Sequence, residues 1–465
     1  MTISKSIFRN YDIRGVYPRD FDDSSAYILG KALGSDFFQR SVKTVVVGRD
    51  DRESSPALAK SFIKGLLSTG RDITYIDITL TPIIHYLTCA KGFDAGVMVT
   101  ASHNPKDYNG FRIDLANAKP FFGPDIENLY QITESEKFVK GKGHYYEENL
   151  SLDYMNFIKS RFSIKKDFKI VIDCGSGATS LIAPQVFSQM GFRVVPVYCS
   201  YDKNFPHGVP DPENPLFIDD LKSKVAENKA DLGIGFDTDG DRVGIVDEKG
   251  ESYSVDKVAL PLAAKILTEH PHGKIVFDVK CSQLLEELIP AMGGQFEMIR
   301  TGHSYFTEKV LSGEAVMGVE FAGHMYFGDK YYGYDDGIYA ALRVLELLDL
   351  SGISLSEVMS PFPKRVSSAE LKLGCLDEQK FAVVGEVINR VKNMHGIKDI
   401  RLIDGVRANV SKNGWFLIRA SNTSPYLSVR LEAESNKELT KIAEAVFLLL
   451  KGFEFVDTSE LKNLI

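Results

Sequence analysis

The run Asp237-Thr238-Asp239-Gly240-Asp241-Arg242 constrains this chain more than any other stretch. Three carboxylates at alternate positions of so short a loop repel one another unless a cation sits among them. Carboxylate oxygens are hard ligands, suited to Mg²⁺ or Ca²⁺. The apolar run from Ala230 to Phe236 reads as a short buried strand. The carboxylates are therefore expected on a tight loop at a strand's C-terminal end, where open α/β sheets place their ligands. An EF-hand is the obvious rival, and Glu248 falls at its twelfth loop position. The sixth position, where the sharp turn needs Gly, holds Arg242, and the flanks read as strands rather than helices. That rival is rejected.

A chain of 465 residues is too long for one ordinary core, so three or four domains are expected. With a net charge of -8 it lacks the basic footprint of a nucleic-acid binder. An acidic protein with an anionic ligand must gather its positive charge locally, which draws attention to individual Arg and Lys positions. The five cysteines are odd in number and widely spaced, and form no Cys-x-x-Cys pair. They are expected to be buried free thiols in a reducing compartment. Residues Met1 to Asp12 offer no signal-peptide core, and no run approaches the ~20 apolar residues of a membrane span. A cytoplasmic protein without membrane attachment is the expectation.

A divergent repeat runs through the first three quarters. Apolar strands begin at Thr44, Lys169 and Lys274, and each leads to a helical stretch: Pro56 to Ser68, Leu181 to Met190, Ser282 to Ala291. Second strands follow at 72–78, 193–198 and 295–300, and third strands at 95–99, 230–236 and 315–319. Each third strand runs into an unusual loop: Thr100 to Pro105, the Asp triplet, and Glu320 to His324. Such units predict three α/β layers with mainly parallel sheets. The tail differs, with a helix near Lys380 to His395, strands at 415–419 and 426–432, and an amphipathic helix over 437–450. It reads as a smaller α+β domain.

Ser102 beside His103 suggests a hydrolase nucleophile, but Gly-x-Ser-x-Gly is absent, as is any Walker motif. A phosphorylated Ser102 fits the Asp triplet better, since it would add about -1.5 to -2 charges and three acceptor oxygens, one able to complete a metal's shell. The competing reading leaves Ser102 and Asn104 as ordinary loop residues. In the tail, Arg419-Ala420-Ser421-Asn422-Thr423-Ser424-Pro425 joins two strands. A guanidinium fork, hydroxyls and turn amides make a cradle for a phosphate dianion, although a hairpin turn has the same composition.

Together with Tyr11-Asp12-Ile13-Arg14-Gly15 near the N-terminus, these motifs resemble the α-D-phosphohexomutase family along essentially the whole chain, most nearly its bacterial phosphomannomutase/phosphoglucomutase branch. The resemblance implies four domains around a central cleft: a phosphoserine-loop domain over 1–150, a metal-loop domain over 151–255, a sugar-recognition domain over 256–368 and a phosphate-binding lid over 369–465. It implies a phosphoserine at Ser102, and Mg²⁺ held by Asp237, Asp239, Asp241 and a Ser102 phosphoryl oxygen. It assigns catalysis to Ser102, His103, Arg112, Arg242, Lys280 and His324. Substrate contacts would come from Tyr11, Arg14, Lys280, His303, Glu320, Ala322, His324, Arg419, Ser421, Asn422 and Thr423. The implied activity interconverts hexose 1- and 6-phosphates of mannose and glucose through a hexose 1,6-bisphosphate, which also serves as activator. A monomer or weak homo-oligomer acting on small molecules is expected. The alternatives are a phosphoglucosamine mutase, whose branch commonly carries Gln where this chain has Phe321, and a non-catalytic sugar-phosphate sensor.

Two positions depart from the family pattern. Ala322 stands where the sugar loop usually has Ser, which removes a hydrogen bond worth ~0.5–1.5 kcal/mol. Arg112 stands where the family usually has Lys. A guanidinium stays protonated and cannot act as a base, so proton transfer is expected to fall to His324 or Lys280, with Arg242 assisting electrostatically.

Overall fold

Four β-sheets follow one another along the chain in the computed structural model, which describes residues 3–397, 399–422 and 424–465. The first sheet runs in the order 13–16, 108–115, 95–99, 44–49, 72–78, 145–147, with Lys119–Pro120 added beside Tyr108–Leu115. The second is ordered 252–253, 243–247, 232–236, 169–173, 193–197, and the third 295–299, 274–278, 317–320, 324–327. In each, the three strands expected from the repeat lie parallel, with the unit's first strand in the middle. The central strands are apolar at nearly every position because helices cover the sheet faces. Val45, Val46 and Val47 have no exposure, and neither have Ile170, Val171 and Ile172.

The repeat reading omitted one recurrent element. In each unit the third parallel strand passes through its unusual loop and returns as an antiparallel partner: Ala95–Val99 to Tyr108–Leu115, Leu232–Phe236 to Val243–Asp247, and Met317–Glu320 to His324–Phe327. The three special loops are thus hairpin loops, tied into the sheet at both ends, at the C-terminal edge of the parallel strands. An anchored hairpin loop loses less entropy when a ligand orders it than a free connection would.

The last sheet is antiparallel throughout, ordered 366–367, 426–433, 415–420, 406–409, 399–401, with Leu371–Gly374 also on the long strand 426–433. Helices Lys380–Lys392 and Asn436–Leu450 pack Val387, Ile442 and Val446 against Phe416, Ile418 and Leu431. On the opposite face, Arg407 lies 3.6 Å over the Trp415 ring and donates to the carbonyls of Val279 and Cys281, each at 2.7 Å. Arg430 donates to the Lys280 carbonyl. Two buried arginines of the tail therefore grip the turn that carries Lys280.

Among the described residues no helix is long and apolar enough to cross a membrane. All five cysteines are free thiols, but Cys89 and Cys199 are only partly buried, unlike the other three.

Candidate active site

Ser102 sits in the left-handed region, with φ 47°, which is unfavourable for a residue with a side chain. Arg52, fully buried, holds the loop there. Its Nη2 donates to the carbonyls of Ser102 and Asn104 at 2.5 and 2.7 Å, and its Nη1 to those of Pro105 and Tyr108 at 2.6 and 3.2 Å. Asp50 accepts from Arg52 Nε at 3.1 Å. Ser102 Oγ donates to Asp237 Oδ2 at 2.8 Å and lies 3.2 Å from His103 Nδ1. Burial and the charge of Arg242 hold His103 well below its ordinary pKa, so its imidazole is neutral.

The Asp loop is folded by its own first carboxylate. Asp237 Oδ1 accepts from the backbone N–H groups of Gly240 and Arg242, and Gly240 takes a φ of 75° that suits glycine. Asp239 Oδ2 accepts from the hydroxyls of Thr81 and Thr100, and Asp241 Oδ2 from Arg112 Nη1 at 2.8 Å. The other oxygens, Asp239 Oδ1 and Asp241 Oδ1, are buried without a hydrogen-bond partner among the described residues. One oxygen from each of the three aspartates lies within 4.8 Å of the others. Burial and the neighbouring carboxylates push Asp237 and Asp241 above the usual carboxylate range. Three converging, desolvated and mutually repelling carboxylates, two with an orphaned oxygen, fit a divalent cation. Glu248 lies outside this group and accepts from Ser356, so the EF-hand rejection holds.

Arg112 is buried between two acids. Its Nη2 donates to Asp335 Oδ1 at 2.8 Å, and its Nη1 reaches Asp241. Asp335 Oδ2 also lies 2.9 Å from His324 Nδ1, and His85 reaches Asp335 at 3.4 Å and Asp114 at 3.0 Å. This network joins the first and third sheets. It fixes the His324 ring, whose Nε2 accepts from Arg242 Nε at 3.0 Å. Burial opposes a charge on His324 and Asp241 favours it, the net being a raised pKa. Arg242 keeps Nη1 without a hydrogen bond among the described residues.

The sugar-loop residues Glu320, Ala322 and His324 all line one cleft, which also receives Ser102, His103, Arg112, Asp239, Asp241 and Arg242. Glu320 Oε2 is buried and has no hydrogen-bond partner among the described residues, and burial raises the Glu320 pKa. Lys280 points its ammonium at Glu370, 3.3 Å away. Tyr11 and His303 meet edge to face at 5.4 Å on the opposite wall. Gly302 is required between them: its φ is 138°, and a Cβ there would lie 2.8 Å from the Tyr11 ring. Arg14 is tied to Asp12 and Asn104.

Across the cleft, Arg419 is anchored through Nε to Asp404 at 2.8 Å, while its Nη2 is buried and has no hydrogen-bond partner among the described residues. A guanidinium held at one edge presents its other edge to the cleft. Ser421 and Asn422 line the same space; Thr423 lies outside the described residues.

The structure thus brings together every described residue singled out from the sequence except Asp237, which underlies the cleft through Ser102. It adds Glu213, Glu370, Lys372 and Tyr426 to the lining, and Arg52, His85 and Asp335 as supports. Burial of Arg52 beside Asp50 had no sequence signal. The alternation Glu370-Leu371-Lys372-Leu373 could have suggested a strand with a polar face, though not where that face points.

The four domain models of the phosphoglucomutase/phosphomannomutase family match residues 5–140, 152–250, 255–366 and 370–449: alpha/beta/alpha domains I, II and III and the C-terminal domain. The phosphomannomutase/phosphoglucomutase of Pseudomonas aeruginosa is 38% identical over 441 residues, 95% of this chain and 94% of that one. A phosphoglucomutase of Neisseria meningitidis is 32% identical over 442 residues, covering 95% of each. The crystal structure of a phosphoglucomutase/phosphomannomutase family protein from Burkholderia thailandensis superposes with a TM-score of 0.89 at 32% identity, over 97% of this chain and 98% of that one. The chain belongs to the phosphoglucomutase/phosphomannomutase family.

Proposed function

We propose that this protein is a phosphohexomutase that interconverts the 1- and 6-phosphates of mannose and glucose, with Ser102 carrying the transferred phosphoryl group. The observation that carries the reading is the contact of Ser102 Oγ with Asp237, 135 residues away, opposite an Arg419 fork. Relatives named phosphomannomutase and phosphoglucomutase at 32–38% identity support it. They also disfavour the phosphoglucosamine mutase alternative, as does Phe321. We also take the chain as four domains, 1–150, 151–255, 256–368 and 369–465, working in a cytoplasmic setting.

Phosphoserine 102 gives its phosphoryl group to the free hydroxyl of a hexose monophosphate, forming a hexose 1,6-bisphosphate. The bisphosphate turns over, and its other phosphoryl group returns to Ser102. Arg419, Ser421 and Asn422 hold whichever phosphate is not reacting, because a phosphate fork need not distinguish the carbon behind it. Asp237, Asp239 and Asp241 would hold Mg²⁺, which when bound offsets charge on the phosphoryl group. Arg112 and Arg242 orient the acids and His324 rather than exchange protons. His324, aligned by Asp335, takes the proton of the attacking hydroxyl through Nε2 once substrate displaces the Arg242 contact. Glu320 accepts from sugar hydroxyls. The lid excludes water, which would otherwise hydrolyse the phosphoserine.

The test is turnover of α-mannose 1-phosphate and α-glucose 1-phosphate with Mg²⁺ and catalytic hexose 1,6-bisphosphate. Formation of the 6-phosphates, lost in Ser102→Ala, supports the reading. Binding of either sugar phosphate without turnover would favour a sensor instead.

A further inference from the structure

Among the charged side chains of the cleft that have no part in the scheme above are Lys372 and Glu213. Lys372 lies on the lid strand Leu371–Gly374, whose Leu371 and Leu373 turn into the lid core while Lys372 points the other way. Its ammonium has no hydrogen bond or ion pair among the described residues. Glu213 projects from the second sheet's side, with Oε1 buried and without a hydrogen-bond partner among the described residues and Oε2 no nearer than 3.9 Å to Arg242. Both residues line the active cleft, and both also line an adjoining cavity of about 320 Å³ beyond Glu370.

Strand register places Lys372 in relation to the phosphate fork. Lys372 is opposite Ser428 on one side of the strand Tyr426–Ala433, and Arg419 is opposite the same Ser428 on the other. Directly opposed residues of an antiparallel sheet share a face. Lys372, Ser428 and Arg419 therefore form one rung across three strands, facing the cleft. At two strand spacings the backbones of Lys372 and Arg419 are roughly 10 Å apart. The Ser428 hydroxyl between them donates to Glu370, so a dianion shared by Lys372 and Arg419 lies toward Ser421 and Tyr426, which line the same cleft, and not on Ser428 itself.

We propose that Lys372 is a further phosphate-binding residue of the lid, sharing the non-reacting phosphate with Arg419, and that Glu213 is its counter-charge while the cleft is empty. This rests on the phosphohexomutase reading and refines its substrate site. The surroundings agree. Burial opposes the Lys372 charge, but Glu213 and Asp211 outweigh it, and burial pushes Glu213 up to about 7. The rival role for such a pair is a latch, in which Lys372 and Glu213 close the lid by meeting each other.

The two roles give opposite signs. Calorimetric binding of α-glucose 1-phosphate is measured in a Ser102→Ala background, where no turnover occurs. With phosphate bound by Lys372, Lys372→Met weakens binding about tenfold and Lys372→Arg recovers most of it. Glu213→Gln, which removes the competing carboxylate, leaves binding unchanged or tighter. Weakening by both Lys372→Met and Glu213→Gln would establish the latch and overturn the proposal, as would a Lys372→Met effect below twofold. Because the readout is binding, a failure here is distinct from failure of the mutase reading, which the native chain's turnover reports.

Discussion

Arg52→Lys isolates the role of the guanidinium that holds the Ser102 loop. The change keeps the charge but replaces a fixed fork by three ammonium donors. Arg52 now satisfies four loop carbonyls and Asp50, so at least two acceptors lose their donor. Each buried acceptor left unpaired costs about 1–3 kcal/mol. Asp50 keeps Thr100 and the Pro105 carbonyl keeps the Tyr108 N–H as donors, so the direct loss is at most about 2–6 kcal/mol before relaxation, and relaxation means movement of Ser102 out of its left-handed conformation. A shift near 1 Å at the reacting atom costs on the order of 10²-fold in rate. The assay is rapid-quench phosphorylation of Ser102 by hexose 1,6-bisphosphate, with KM for hexose 1-phosphate measured alongside. The transfer rate should fall about 100-fold while KM changes less than threefold, because the phosphate-holding residues stand on another sheet. Wild-type transfer rates in a variant with a lowered melting temperature would show that Arg52 only supports the fold, and would refute this reasoning.

Other perturbations have definite signs. Asp173 is buried with one backbone donor, and burial pushes its carboxyl up to about 7. The unfolded value is about 3.9, so the native state keeps a proton that the unfolded chain releases; the associated stability is present below pH ~4 and lost as pH rises through ~7. Asp173→Asn should raise the melting temperature at pH 8 relative to native, by the equivalent of at most ~4 kcal/mol, and bring little change at pH 4; equal shifts at both pH values would contradict this. Arg419→Lys replaces the fork by a point charge, and should raise KM about tenfold with kcat within threefold. Mg²⁺ should raise the melting temperature of the native chain and not that of Asp239→Asn, whereas the same shift in both would place the ion elsewhere.

The sequence carried the chemistry of this site further than its architecture. Ser102 and the Asp triplet were legible because each follows an apolar strand and each carries residues that make little sense in an ordinary loop. Their contact at 2.8 Å was not written in either segment; it came from the four matching motifs taken together. The return strands after the Ser102 and Glu320 loops were missed, although Phe111 to Ile113 is apolar enough to have shown the first; after the Asp triplet the flank was read as a strand, but its antiparallel return was not. Arg52, His85 and Asp335 were invisible for a different reason. Their roles depend on which backbone carbonyls and acids the fold brings beside them, and no local pattern records that. Lys372 shows the same limit: alternation in 370–373 marks a polar face, and only the register through Ser428 sets it beside Arg419.

The central claim is that Ser102 is the phosphoryl carrier. Mass spectrometric mapping of the native protein after incubation with Mg²⁺ and hexose 1,6-bisphosphate tests it most directly. The account predicts one phosphate, on Ser102, discharged by hexose 1-phosphate and absent from Ser102→Ala. An unphosphorylated Ser102 in a protein that still interconverts the sugar phosphates would contradict it.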